Sequence, residues 1–439
     1  MTVDMSSAGR RTLVYAIIAI IVIAAVGGSA YYLMRPRKPK VIKVGAIFPL
    51  TGALAEAGKL QKYATEWAVG EINEAGGIKS LGGAKIEVVW GDTECDPSVA
   101  SSEAVRLITA EKVVCVVGAY MSACTKTVSD SCEKYKTPCL NPLSTSPALT
   151  MRGLKWFFRL TGHDALFCKQ HWDFIKELNE EKGLGLKTFA TMEEDTEWGV
   201  KSGEAYIEYG KAAGFEHLID VRYHRGAASL DSEVAKLKEA NPDIICLTMY
   251  TPDAILFVKT MYKLGFHPKI IIAQDVGFVH PSYKKEVGEM GYWIMSREVF
   301  NWDLATVSPK IKAKADEYKA KYGVDLEGCA ARTYVAWHVL ALALEEAGKE
   351  ANPWKDLDGF RAALRDALEN LEITPEEWAD LPWAITTYDG VKFGGLRTGE
   401  AGQNIKAWGI IVQMFDDGKY YTVYPEKYAT KKAVAPIPW

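Results

Sequence analysis

An alternation of short apolar runs with longer amphipathic ones constrains this chain most. Residues 41–48 (VIKVGAIF) read as a strand and are turned by Pro49-Leu50-Thr51-Gly52. Residues 59–75 carry apolar positions at helical spacing through Leu60, Ala64, Trp67, Ala68 and Ile72. A strand over 84–90, a helix over 98–110 and short strands at 113–117 and 138–140 follow. Strand and helix in turn at this spacing predict parallel sheets covered by helices on both faces. From Asp164 the rhythm restarts: a helix over 165–182, a strand over 187–192, a helix ending at Lys211, then strands at 217–223, 243–247 and 269–273 with helices at 229–240 and 253–264. This second α/β lobe repeats none of the first lobe's sequence detectably. Past about Ser296 come three long helical patterns, 310–322, 329–348 and 357–371. A hairpin then pairs 408–415 with 420–424 across Asp416-Asp417-Gly418-Lys419. With 439 residues, 48% of them hydrophobic, the chain has ample material for two cores.

An open parallel sheet binds ligands beyond the carboxyl ends of its strands, where strand order reverses. Residues 113–150 (VVCVVGAYMSACTKTVSDSCEKYKTPCLNPLSTSPALT) place two such ends close together in sequence. The first strand runs into Gly118-Ala119-Tyr120-Met121-Ser122 and a helical pattern. The second runs into Asn141-Pro142-Leu143-Ser144-Thr145-Ser146-Pro147. Ser122 is expected at a helix N-terminus, where unpaired backbone N–H groups and the helix dipole favour an anion. Ser122 and Thr145 thus read as the polar floor of half a cleft, although Ser and Thr are also ordinary caps and turn residues.

Residues 12–34 (TLVYAIIAIIVIAAVGGSAYYLM) are uncharged and long enough to cross a bilayer core of about 30 Å. Gly28-Ser29-Ala30 offers a cleavage site for a secretory signal. The apolar run continues beyond it through Tyr31, Tyr32, Leu33 and Met34, as an uncleaved anchor does. The expected layout is a cytoplasmic segment 1–11, an anchor or signal 12–34 and a basic linker 35–40. Arg35, Arg37, Lys38, Lys40 and Lys43 outnumber Arg10 and Arg11, so basic-residue counting alone puts the large domain inside the cell. A formal net charge of −4 and the lack of a basic, aromatic-interleaved stripe predict no nucleic-acid partner.

Taken together the runs resemble the type I periplasmic solute-binding proteins, in the leucine/isoleucine/valine-binding branch that feeds ABC importers. The resemblance rests on VGAIFPLTGALAEAGK, AVGEINEAGGI, DTECDPSVA, GAYMSACT, CLNPLSTSPALT, FFRLTGHD and MFDDGKYYTVYP, which occur in that order. It implies two lobes joined by three crossovers and closing over a ligand, with lobe 1 at 41–162 and 297–400 and lobe 2 at 163–296 and 401–439. It also implies an extracytoplasmic domain, against the basic-residue count. Matched position by position, it implies a ligand carboxylate on Ser122 and Thr145, with backbone groups of Tyr120, Leu143 and Ser144 on the same wall. Trp198 matches the aromatic lid, Tyr250 an aromatic at the end of the next strand, and Asp275 the acid that holds the ligand ammonium. A first-lobe aromatic is replaced by Ala57, which is expected to reshape the side-chain pocket, so the branched-chain preference does not carry over. The resemblance further implies a disulfide from Cys95, with Cys124 one helical turn from the matching position. Cys115, Cys246 and Cys329 are expected to be free.

No G-x-x-x-x-G-K-[ST], H-E-x-x-H or G-x-S-x-G run occurs, which excludes the local signatures of several catalytic classes. Cys168 and His171 lie about one helical turn apart, but two ligands make a poor metal site and a surface helix accounts for them. His163-Asp164 reads as a helix cap. The expected function is therefore that of a receptor for an amino acid or related small polar solute, not an enzyme, with no cofactor or metal. Its expected partners are ABC importer permease subunits and the membrane. The alternative is a sensor ectodomain of similar fold that regulates a separate signalling partner.

Overall fold

Strand β1, Val41–Phe48, is buried along most of its length, which explains its nearly unbroken apolar sequence. In the computed structural model, which describes residues 40–396 and 400–439, β1 pairs in parallel with β2 (Lys85–Asp92) and β3 (Val116–Gly118). β4 (Cys139–Asn141) and β5 (Phe157–Arg159) complete a five-stranded parallel sheet of order β2-β1-β3-β4-β5. Helices Ala55–Glu74, Pro97–Thr109 and Ser122–Lys134 connect its first four strands. Helix Gly328–Glu350 joins the same core from far along the chain, and its position is pinned by polar anchors. Trp337 Nε1 donates to Thr65 Oγ1 at 2.9 Å, and the Tyr334 hydroxyl donates to Glu71 Oε2 at 2.6 Å.

The second sheet holds β6 (Thr188–Glu194), β7 (Glu216–Tyr223), β8 (Ile244–Thr248), β9 (Ile270–Ala273) and β10 (Met295–Glu298) in parallel. β11 (Glu372–Ile373) and β12 (Val391–Lys392) form a separate two-stranded pair. The predicted hairpin, β13 (Ile410–Met414) and β14 (Tyr420–Tyr424), adds antiparallel to β10, giving the order β14-β13-β10-β9-β8-β6-β7. Every residue of β8 and β9 is buried, as expected for central strands covered on both faces. Burial of each such Ile or Leu contributes roughly 1.5–3 kcal/mol.

Most helices and strands stand within about two residues of the sequence-based expectation, but the first helix begins at Ala55, four residues before the expected start, and β3 begins at Val116, three after it. Strands β5 and β10 were not anticipated. Each is only three or four residues long, too short for a period-2 pattern to register. The helix carrying Cys168 and His171, Asp164–Lys182, is not a surface feature at these positions. Both side chains are fully buried, the imidazole Nδ1 is 2.8 Å from the Tyr206 hydroxyl, and the thiol accepts from Gln274 Nε2. They sit on the apolar stripe of the helix and are core groups. His163 caps that helix, its Nδ1 accepting from Leu166 N at 3.3 Å.

The predicted Cys95–Cys124 disulfide is absent, and all eight cysteines are free thiols. The reason is local. Cys95 lies in a turn at φ +61 and its thiol faces Thr51 O at 3.8 Å, whereas the Cys124 thiol is hydrogen-bonded to the Thr93 side chain. Burial pushes the Cys124 thiol up to about 12. The disulfide argument for an oxidising compartment therefore falls. The apolar run 12–34 lies outside the described residues, and among the described residues no helix is long and apolar enough to cross a membrane.

Candidate functional site

The carboxyl ends of the two sheets face a common cleft, and each wall follows from how a strand hands over to a helix. After β3 the chain makes a close turn: Gly118 has φ +132, and a Cβ there would sit 2.1 Å from Ile47 O. This brings Tyr120 and Met121 to the mouth of helix Ser122–Lys134, whose N-cap, Met121, supplies no side-chain acceptor. The first N–H groups of that helix are thus left without a side-chain cap, as an anion site requires. After β4, Asn141 organises the next turn. Its Oδ1 accepts from Leu143 N at 3.1 Å and Ser144 N at 2.8 Å. Its Nδ2 donates to the carbonyls of Gly118 and Ala119. The Ser144 hydroxyl turns inward to Thr125 Oγ1 at 2.6 Å and Tyr120 O at 3.0 Å. The N–H groups of Leu143 and Ser144 are therefore already engaged. Ser122 Oγ accepts from Ser146 N at 3.3 Å, which leaves its hydroxyl proton free to be donated.

The opposite wall comes from the seven-stranded half. Trp198 is the second residue of helix Glu197–Ala212, and Tyr250 is the N-cap of helix Thr251–Leu264. Their rings lie 4.7 Å apart, and Tyr250 is 6.2 Å from Tyr120 across the cleft. Trp198 Nε1 is buried with no hydrogen-bond partner among the described residues. Asp275 follows β9 at φ +45, a left-handed conformation that Asp tolerates better than most residues. The turn after it packs closely under Tyr250: a Cβ on Gly277 would meet Met249 O at 2.0 Å.

All eight residues singled out from the sequence line one pocket: Tyr120, Ser122, Leu143, Ser144, Thr145, Trp198, Tyr250 and Asp275. Two more join them, Cys329 and Arg332, from the first turns of helix Gly328–Glu350. About 20 Å³ lies open to a water centre between these walls, little more than one water needs. An amino-acid-sized solute therefore enters only if the halves part. Ala57 is not on the lining.

Asp275, expected to hold a ligand ammonium, already has charged partners within the protein. Arg332 Nη2 donates to Asp275 Oδ2 at 2.6 Å, and Arg297 Nη2 lies 3.0 Å from the same oxygen. The Arg332 bond crosses the cleft, because helix Gly328–Glu350 belongs to the five-stranded half. Arg297 is held by Gln274 Oε1 at 3.2 Å and lies over the Phe167 ring at 4.1 Å. Burial alone would raise the Asp275 carboxyl, but Arg297 and Arg332 outweigh it and hold the group below its ordinary range. Next to it, Glu298 is pushed well above the carboxylate range by burial and then by the Asp275 charge. Asp164, 3.9 Å from Arg297, is raised to about 7 by burial. The cluster escaped the sequence because its arginines lie on the unrecognised strand β10 and 57 residues beyond Asp275. Only Arg332 within an otherwise apolar helical run hinted at a buried charge.

Residues 41–402 match the family model described as periplasmic binding protein. Among curated proteins the chain is similar to Leu/Ile/Val-binding protein homolog 8 of Brucella abortus, at 28% identity over 89% of this chain and 92% of the relative. Homolog 7 of the same organism is 26% identical over 90% and 94%. Among solved structures, a leucine-binding protein of Thermotoga maritima superposes with a TM-score of 0.72 at 22% identity, covering 87% of this chain and 97% of that one. The branched-chain amino acid transporter substrate-binding protein LivJ of Streptococcus pneumoniae, in complex with isoleucine, gives 0.70 at 24%, covering 88% and 100%. With two helix-covered sheets facing one cleft and a family match over most of its length, the chain belongs to the periplasmic binding protein family and has the type I fold of its solute-binding members.

Proposed function

We propose that this protein is an extracytoplasmic receptor that closes its two halves over a small carboxylate-bearing solute, an α-amino acid first among them, and delivers it to an ABC importer. Residues 12–34 tether it to the membrane in this reading. The observation that supports it is the convergence of Ser122, Thr145, Trp198, Tyr250 and Asp275 on one pocket between the sheets. The uncapped helix end and the Ser122 hydroxyl suit a carboxylate, Trp198 Nε1 offers a further donor, and the rings of Tyr120, Tyr250 and Trp198 enclose the middle. A thermal-shift panel of amino acids, amides, urea and aromatic acids tests the reading. A true ligand at a hundredfold excess over its Kd stabilises the folded state by about 2.7 kcal/mol. Recovery of the solute unchanged is expected. Consumption of the solute, or a response to urea and amides alone, contradicts the proposal.

A further inference from the structure

The end of the pocket away from Ser122 carries more hydrogen-bond donors than the protein satisfies. Arg332 is fully buried and lines the pocket. It spends Nη2 on Asp275 and Cys329 Sγ and Nε on Gly328 O, while its Nη1 has no partner among the described residues. Arg297, also fully buried, places a second guanidinium on the same Asp275 oxygen. Two buried guanidiniums thus converge on one Asp275 oxygen. Burial, and then the Asp275 charge, push the neighbouring Glu298 carboxyl well above its usual range, and Asp164 lies 3.9 Å from Arg297. Both oxygens of Glu327 are taken by the first N–H groups of helix Gly328–Glu350, at 2.8 Å from Cys329 N and 2.6 Å from Ala330 N, and neither is hydrogen-bonded to Arg332 Nη1. Asp275 Oδ1 meets no nitrogen donor, and the Glu298 carboxyl lies beside Asp275, so the same wall keeps a carboxylate oxygen near the spare donor.

A branched-chain amino acid would leave Arg332 Nη1 unsatisfied in a closed cleft, which is costly for a charged donor. A guanidinium is matched best by a carboxylate. Resting on the receptor reading above, we infer that the solute carries two carboxylates, one on the Ser122–Thr145 wall and the second on Arg332, which makes Arg332 the residue that sets specificity. Acidic amino acids and plain short dicarboxylates share this chemistry. Asp275 Oδ1 provides an acceptor for the ammonium of the former.

Calorimetry on the purified full chain tests this with aspartate, glutamate, succinate, glutarate, glutamine and leucine. At least one dicarboxylate is expected to bind tenfold or more tightly than both leucine and glutamine. Comparing glutamate with glutarate, and aspartate with succinate, shows whether an amino group is required. Arg332→Leu should abolish the preference, while Arg332→Lys should retain part of it. If Arg332→Leu fails to fold, the panel on the parent protein still decides. Leucine or glutamine binding as tightly as every dicarboxylate overturns the inference and leaves the receptor reading intact. Binding of none of the six, with turnover of any, overturns both.

Discussion

Ser122 and Thr145 present a neutral wall of hydroxyls and an uncapped helix end, whereas Asp275, Arg297 and Arg332 form a buried ionic cluster that bridges the two halves. The neutral wall is built from residues close in sequence, with Asn141 fastening two adjacent turns through bonds of 2.8–3.1 Å. The ionic wall is assembled from three distant segments, and its strongest bond, Arg332 to Asp275 at 2.6 Å, ties the two halves together. A neutral wall can lose one hydroxyl and keep its shape. An ionic wall that loses one charge leaves others buried and unpaired, so its members serve stability and binding at once.

The largest expected effect comes from breaking the ionic wall. Asp275→Ala should cost on the order of 3–5 kcal/mol of stability by stranding Arg332 and Arg297. Denaturant unfolding of Asp275→Ala beside Asp275→Asn measures it. Asn tolerates the φ +45 backbone, so a large loss shared by both variants assigns the effect to charge.

Asp164 sharpens the comparison through pH. Its folded-state value of about 7 lies above the ordinary carboxyl range, so the stability its protonated form provides is present below about pH 4 and lost as pH rises through 7. His163 and His171, each lowered to about 3 by burial, act in the opposite direction: their contribution is complete above about pH 6.5 and fades as pH falls towards 3. Asp164→Asn should remove only the alkaline-side loss, which is at most about 4 kcal/mol. Unfolding free energies of parent and variant between pH 5 and 8 should converge at the acid end and separate at the alkaline end. Parallel curves would remove this assignment.

On the neutral wall the effect is smaller and falls on binding. Ser122→Ala should weaken capture of a carboxylate by about 1.5–3 kcal/mol, roughly ten- to a hundredfold. Its bond from Ser146 N, at 3.3 Å, contributes only about 1 kcal/mol to folding. A Ser122→Ala protein that loses more stability than affinity would erase the distinction between the walls.

Legibility divides along the same line. Strand–helix periodicity exposed the alternating architecture, because apolar period and element length are local properties. Ser122 and Thr145 were legible because each stands where a strand gives way to a turn or a helix, whereas Trp198 and Tyr250 were legible only through the family resemblance. Asp275 was matched through the resemblance, but its protein partners were not legible. Its two arginines are brought in by β10, four residues long, and by helix Gly328–Glu350, and no local pattern pairs residues across such distances. Cys95 and Cys124 failed for a related reason: sequence spacing does not tell which way a thiol points in a left-handed turn.

A crystal structure of the protein with the carboxylate solute that most raises its melting temperature tests the central claim most directly. The account predicts that the solute lies between the sheets, with one carboxylate at Ser122, Thr145 and the start of helix Ser122–Lys134 and its other end at Asp275 and Arg332. A solute bound elsewhere on the molecule, or one in the cleft that leaves Ser122 and Thr145 untouched, would contradict it.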